Sequence, residues 1–324
     1  MITRRSIVLG AGAFAAAGLM GTGSLRAQQY PSKLLKIVIA NPPGGDDDTL
    51  SRAIADQMTG EFGQPIIIEN RGGASTTIGS RLVAQSAPDG YTILCVHMAS
   101  IIQTVLRENL DYSLKSFTPI IGIGGYPMAL VVSPKSPIKT FDELKAASKG
   151  DGVSYASGGP GTLAHLTSVR FLNAIHGKGL HIPYKNNPDA LQGLAGGFTD
   201  IMFPSAREGA NLSKTGLIRV LAVTSKERLL SLPDIPTMTE LGLPEVDSRL
   251  WYSYVAPAGT PPEIVTKPGD LIEKAVKSPK FAERFEPLSF QTDVLRGEPL
   301  TQYMSSQADR FRQLIVENNI KITD

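Results

Sequence analysis

The sequence predicts an α/β protein of two lobes with largely parallel sheets, and three observations carry that expectation. Short apolar strands alternate with helical patterns between residues 36 and 96. A strand, glycine-rich turn and helix recurs from 153 onward, and a strand-like run at Trp251–Ala256 stands where the chain can return to the first lobe. Strands joined by helices in this way pair in parallel and are covered on both faces. Ligands of such sheets sit at the carboxyl ends of the strands.

The elements follow in order. Residues 1–27 are set apart as an export signal: Arg4-Arg5, an Ala/Gly-rich apolar run from Ile7 to Met20, and Leu25-Arg26-Ala27 before Gln28. The run is too short and glycine-rich for a membrane anchor, and the arginine pair points to the twin-arginine route, with the general secretory route as the alternative. Lys36–Ala40 reads as a strand. Thr49–Met58 reads as a helix with Leu50, Ala53, Ile54 and Met58 on one face, followed by strand Pro65–Glu69, helix Gly79–Ser86 and strand Tyr91–Val96. Beyond these, Ala129–Ser133 is strand-like, Phe141–Lys149 is a helix begun by Thr140, and Val153–Ala156 is a strand entering Ser157-Gly158-Gly159-Pro160-Gly161-Thr162 before another helix. Ile218–Thr224 is a further strand. Lobe 1 is expected at 31–126 and again at 251–324, with lobe 2 at 127–250 between.

Charge and cysteine content narrow the function. Without Arg4, Arg5 and Arg26, the 32 basic residues become 29 against 30 acidic ones, a net charge of −1 where the full chain carries +2. No basic excess remains to hold nucleic acid or an anionic membrane surface. Cys95 is the sole cysteine, so no intramolecular disulfide forms and no lipid joins the end of the signal. A periplasmic monomer follows from this reading.

Residues 35–52 hold the most informative chemistry. A strand enters Asn41-Pro42-Pro43-Gly44-Gly45, and a helix opens with Asp46, Asp47 and Asp48. Glycines let the main chain approach a ligand, and the first helical N–H groups stand free for it, yet three carboxylates occupy the place an anion would take. Gly159-Pro160-Gly161-Thr162-Leu163-Ala164 fits a dinucleotide pattern, but Leu180-His181-Ile182-Pro183 stands where the ribose-binding acid belongs, and Pro42-Pro43-Gly44-Gly45 lacks the Lys-Ser/Thr of a P-loop. The sequence contains no Gly-x-Ser-x-Gly elbow, and Cys95 ends an apolar strand as a small buried hydrophobe does. His97, His165, His176 and His181 lack metal-ligand spacing, so no metal and no cofactor is expected.

Pro43-Gly44-Gly45 with Asp48 and Arg52, Ile68-Glu69-Asn70-Arg71, Ile78-Gly79, Ala87-Pro88-Asp89-Gly90-Tyr91-Thr92, Tyr155-Ala156-Ser157, Gly161-Thr162 with His165, Pro183-Tyr184-Lys185, Leu221-Ala222-Val223-Thr224-Ser225, Pro233-Asp234-Ile235-Pro236-Thr237 and Ala256-Pro257-Ala258-Gly259-Thr260-Pro261 run through nearly the whole mature chain. Their ordered set resembles the substrate-binding receptors of tripartite tricarboxylate transporters, the Bug (TctC-like) family. The resemblance implies a type II periplasmic binding protein-like fold that closes on a small organic solute, usually a carboxylate, and delivers it to a membrane permease without catalysis. A receptor for a sugar, metal or peptide, and a periplasmic α/β enzyme acting on a small organic acid, are the alternatives.

Carried onto this chain, the resemblance implies two ligand loops. Gly44, Gly45, Asp46, Asp47 and Asp48 form the first, and Ser157, Gly158, Gly161 and Thr162 the second, where the Gly161 and Thr162 amides and the Thr162 hydroxyl are expected to donate to a carboxylate. Tyr184 and Asp200 are added, with Asn41, the 70–77 segment including Thr76, His97 to Ser100, His165 and Phe203 ranked lower. Three departures stand out. Asp47 replaces a small hydroxyl residue, with Asp46 beside it, so a donor becomes an acceptor and the preferred ligand is expected to bear an amino or amide group; the alternative is that Asp46 or Asp47 only caps the helix and faces water. Cys95-Val96-His97-Met98-Ala99-Ser100 replaces a serine-rich ligand loop. Lys267-Pro268-Gly269-Asp270 interrupts a helix that is therefore expected to bend or start late, since an interior proline costs about 3 kcal/mol.

Overall fold

The computed structural model describes residues 30–320 except 108. The export segment at 1–27 lies outside the described residues. Two mixed sheets form the framework, flanked by helices. The first sheet holds β1 (Leu35–Ile39), β2 (Ile66–Asn70), β3 (Thr92–His97), β4 (Phe117–Pro127), β10 (Arg249–Pro257) and β11 (Gln291–Leu295), in the order β11-β4-β10-β3-β1-β2. The second holds β5 (Ala129–Val132), β6 (Val153–Ser157), β7 (Gly179–Pro183), β8 (Ile201–Met202) and β9 (Arg219–Val223), in the order β7-β6-β8-β5-β9. Parallel pairing is confined to β1 with β2 and β3, and to β6 with β7 and β8. The strands that carry the chain between sheets pair antiparallel, so each sheet is mixed where largely parallel sheets were expected.

Helices follow the strands they cover. In the first half these are α1 (Asp46–Phe62), α2 (Thr77–Ala84) and α3 (Met98–Leu106), and in the second α4 (Phe141–Lys149), α5 (Leu163–Ala174), α6 (Asn187–Gly196) and α7 (Ala206–Lys214). The chain then returns through α8 (Pro262–Val276), α9 (Pro279–Phe285) and α10 (Gly297–Glu317). Their starts are set locally: Thr140 and Ser205 each close a capping box with a glutamate three residues on, satisfying amides the helix itself leaves open. The central strands are buried along most of their length, as in Ile37, Val38 and Ile39 of β1 and Leu94 and Cys95 of β3.

Helix α8 does not start late. It begins at Pro262 and continues through Pro268. Tertiary contact offsets the local cost. A Cβ on Gly269 would come within 2.7 Å of the Arg296 guanidinium, which fits closely there and bonds to Asp270 and, at 3.2 Å, to Glu273.

The chain passes between the sheets at Met128 and again at Ser248, side by side. Thr224, just after β9, joins the two passages. Its buried hydroxyl accepts from the Met128 amide at 2.8 Å and donates to the Ser248 carbonyl, while its own amide donates to the Met128 carbonyl at 2.9 Å.

Candidate functional site

Residues that follow β1 and β3 meet residues that follow β6 and β8: Asp46 pairs with Arg207, and Leu106 lies against Gly161. At the first turn Gly44 adopts a left-handed backbone, φ 89°, and α1 begins at once. The three carboxylates then take different partners. Asp48 accepts from the Gly44 amide at 2.9 Å and is gripped by Arg52 of its own helix through Nε at 3.1 Å and a terminal nitrogen at 2.9 Å. Burial works against its charge, but Arg52, Gly44 and Asn70 hold its carboxyl below the usual range.

Asp46 reaches across to the other half, 2.7 Å from the Arg207 guanidinium at the start of α7. Burial pushes its carboxyl up to about 6, with Arg207 opposing and Glu208 and Asp47 adding to the rise. Asp47 is 3% exposed; its Oδ2 accepts from the Asn41 side chain at 2.6 Å and its Oδ1 from the Asp48 amide at 3.0 Å. The nearest basic group is the His97 ring, 3.9 Å away, which also touches the Asn41 amide at 2.7 Å and accepts the Ala99 amide at the start of α3. Burial lowers the His97 pKa against the pull of Asp47, which keeps the ring neutral. Among the described residues, then, Asp46 and Asp48 have arginine partners and Asp47 has none.

Two tyrosines complete this wall, Tyr126 from β4 and Tyr252 from β10, and no sequence pattern marked Tyr126. Tyr126 and Tyr252 meet edge to face at 6.2 Å, Tyr252 lies 6.3 Å from the His97 ring, and the Arg207 guanidinium sits 5.9 Å from the centre of Tyr126. Burial, followed by the nearby Asp46 carboxylate, raises both phenol pKa values. The neighbouring loop is strained. Ala74, Ser75 and Thr76 have φ of 44°, 53° and 79° in succession, a left-handed run that costs side-chain-bearing residues energy. Buried Thr76 accepts from the Ser100 hydroxyl at 3.1 Å, tying the run to α3.

In the second loop the donors expected to be free are engaged. The Gly161 amide donates to His165 Nδ1 at 3.0 Å, the Thr162 amide and hydroxyl both donate to the Gly159 carbonyl, and the Gly158 amide donates to Asn187 at 3.0 Å. Ser157 pairs with His181 Nε2 at 2.7 Å. His165 and His181 stack at 3.9 Å with Tyr155 alongside, and burial with the neighbouring His181 lowers His165 to about 4. The loop is a self-bonded unit in this conformation.

Three further candidates lie apart from this cluster of side chains. Asp200 lies at the opposite end of β6 from Ser157, where its carboxylate accepts from the Ser154 amide and hydroxyl, each at 2.7 Å, and fastens β8 to β6. Phe203 is fully buried, 5.5 Å from the Phe171 ring in the core. Tyr184 packs its ring on α6, where a Cβ on Gly193 would strike its hydroxyl at 2.1 Å. Arg207, which no sequence pattern marked, joins the site instead. Among the described residues no group of three or more His, Cys, Asp or Glu side chains is placed to hold a metal ion, and no helix is long and apolar enough to cross a membrane.

Two α/β lobes, two adjacent crossings and polar side chains between strand carboxyl ends define a bilobal solute-binding protein. The chain belongs to the tripartite tricarboxylate transporter family of receptors (TctC), whose family model matches residues 50–320. It is 33% identical over 92% of its length, and 91% of the relative's, to a "UPF0065 protein in tcbD-tcbE intergenic region" of Pseudomonas sp. (strain P51). Among solved structures it is similar to the periplasmic binding protein BugD, with 30% identity, a TM-score of 0.75 and coverage of 90% of this chain and 99% of that one. It is also similar to Rpa4515 of R. palustris with adipate, with 26% identity, a TM-score of 0.76 and coverage of 90% and 99%.

Proposed function

We propose that the protein is a periplasmic receptor that captures a small organic carboxylate bearing an amino or amide group and passes it to a membrane permease of the tripartite tricarboxylate type. Family membership supports the receptor and transport part of this reading. The observation that carries the ligand class is Asp47, a buried carboxylate without a cationic partner beside two carboxylates that have one. A buried charge is costly until it is paired, so a ligand that brings an ammonium or amide N–H supplies what the site lacks. A plain dicarboxylate such as the adipate of the R. palustris relative brings like charge instead.

A thermal-shift screen of the mature protein against amino acids, carboxamides and unsubstituted mono-, di- and tricarboxylates tests the reading. Amino- or amide-bearing acids are expected to raise Tm most, and Asp47→Thr to erase that preference. Stabilisation by plain dicarboxylates alone overturns the ligand class. No stabilisation by any compound overturns the receptor.

A further inference from the structure

We propose that Arg207 is a positioning residue for ligand capture: its ion pair with Asp46 forms on closure and holds the two lobes together over the solute. The inference rests on the receptor reading above. Of the three acids that open α1, Asp48 is gripped by Arg52 from the same helix, a pair that lobe movement leaves intact. Asp46 is instead paired with a residue from the other sheet's helix layer, at 2.7 Å, so separating the lobes breaks that contact.

The Arg207 anchor is fixed close to a crossing. Ser205 and Glu208 close the capping box that starts α7, and Ser205 bridges to Met128 where the chain leaves the first sheet. The guanidinium also lies over Tyr126, the penultimate residue of β4. One face of the pair is therefore seated on the hinge strand itself. Arg207 Nε is enclosed without a hydrogen-bond partner, so the guanidinium is held here chiefly by Asp46 and the ring. The groups facing Asp46 are Arg207 and Glu208 from α7, Asp47 from α1, Tyr126 from β4 and Tyr252 from β10. Arg207 is the one cation among them, so without it closure buries Asp46 beside two other acids.

A closure contact changes affinity for every ligand alike, because its energy enters through the closing equilibrium and not through the ligand. The test compares wild type, Arg207→Ala, Arg207→Lys and Arg207→Ala/Asp46→Asn. Each is measured for affinity toward the compounds that stabilise the wild type in the amino-acid, amide and carboxylate panel, and for its ligand-free radius by X-ray scattering. Arg207→Ala is expected to weaken all of these compounds by a common factor, on the order of tenfold, and to enlarge the ligand-free radius. Removing the orphaned acid in the double variant is expected to recover part of the loss, and lysine to retain part of the affinity. Urea midpoints confirm that each variant is folded. Unchanged affinity and radius, or a loss confined to one chemical class, overturns the proposal. Should no compound in the panel bind, the receptor reading fails and the scattering comparison alone decides whether Arg207 closes the lobes.

Discussion

The Thr224 hydroxyl accepts the Met128 amide at 2.8 Å and so joins the end of β9 to the point where the chain leaves the first sheet. The same oxygen donates to the Ser248 carbonyl on the returning passage. One buried hydroxyl thereby binds both crossings, and replacing it by a methyl leaves the Met128 amide with only a 3.3 Å contact to the Ser248 carbonyl. Thr224→Val is expected to cost about 1–3 kcal/mol in urea unfolding, the range for unpairing buried polar groups, and Thr224→Ser to recover most of it. Equal stabilities for Val and wild type would show that the hydroxyl is dispensable.

The left-handed run at 74–76 offers a change of opposite sign. Ser75 is exposed, has φ 53° and ψ 50°, and pays the steric cost of that conformation in the native state. Ser75→Gly is expected to raise stability by about 0.5–1 kcal/mol, the relief being partly offset by the greater freedom of glycine in the unfolded chain. A lower Tm for this variant would mean that the loop gains its shape from the serine itself.

Sequence periodicity revealed elements whose character is local. The β1–α1–β2 and β3 units show in their apolar pattern, and Thr140 marks the start of α4 because the capping box is a four-residue event. Strand β4 was hidden. It was not among the expected strands and carries Gly122, Gly124 and Gly125; a Cβ on Gly122 would lie 2.1 Å from the Trp251 ring, so the glycine is there to let β10 and its indole close on the strand. At the site, the glycine turns could be found but not the fate of their donors, since His165 and Asn187 reach the Gly161 and Gly158 amides only through folding. Arg207 and Tyr126 meet Asp46 from distant parts of the chain, and no spacing rule connects them.

Asp46 sets a pH dependence whose sign follows from burial. Its carboxyl titrates at about 6 in the folded protein against 3.8 for the unperturbed group, so the folded state binds the extra proton between those values. The stabilising contribution is complete below about pH 4 and is lost as pH rises through 6, amounting to roughly 2–3 kcal/mol at 1.36 kcal/mol per unit. Asp46→Asn removes this term. Relative to wild type, its Tm is expected to improve between pH 4 and pH 7.5, and parallel Tm profiles across that range would place the Asp46 pKa in its ordinary position.

Gly161 provides a second test of closure, through a different loop of the same half as Arg207. Its φ is +74°, and an added Cβ would lie 2.1 Å from Leu106 Cδ2 at the end of α3, a residue of the other half. Gly161→Ala therefore strains the backbone by roughly 1–2 kcal/mol and wedges a methyl group between the halves where they now touch. Opening relieves the wedge but not the strain. Affinity is expected to fall for every ligand by a common factor, and Leu106→Ala in the same chain to restore part of it by making room for the methyl. Calorimetric titration of the single and double variants measures this directly. A fall that Leu106→Ala does not touch would assign the whole effect to the backbone of the loop.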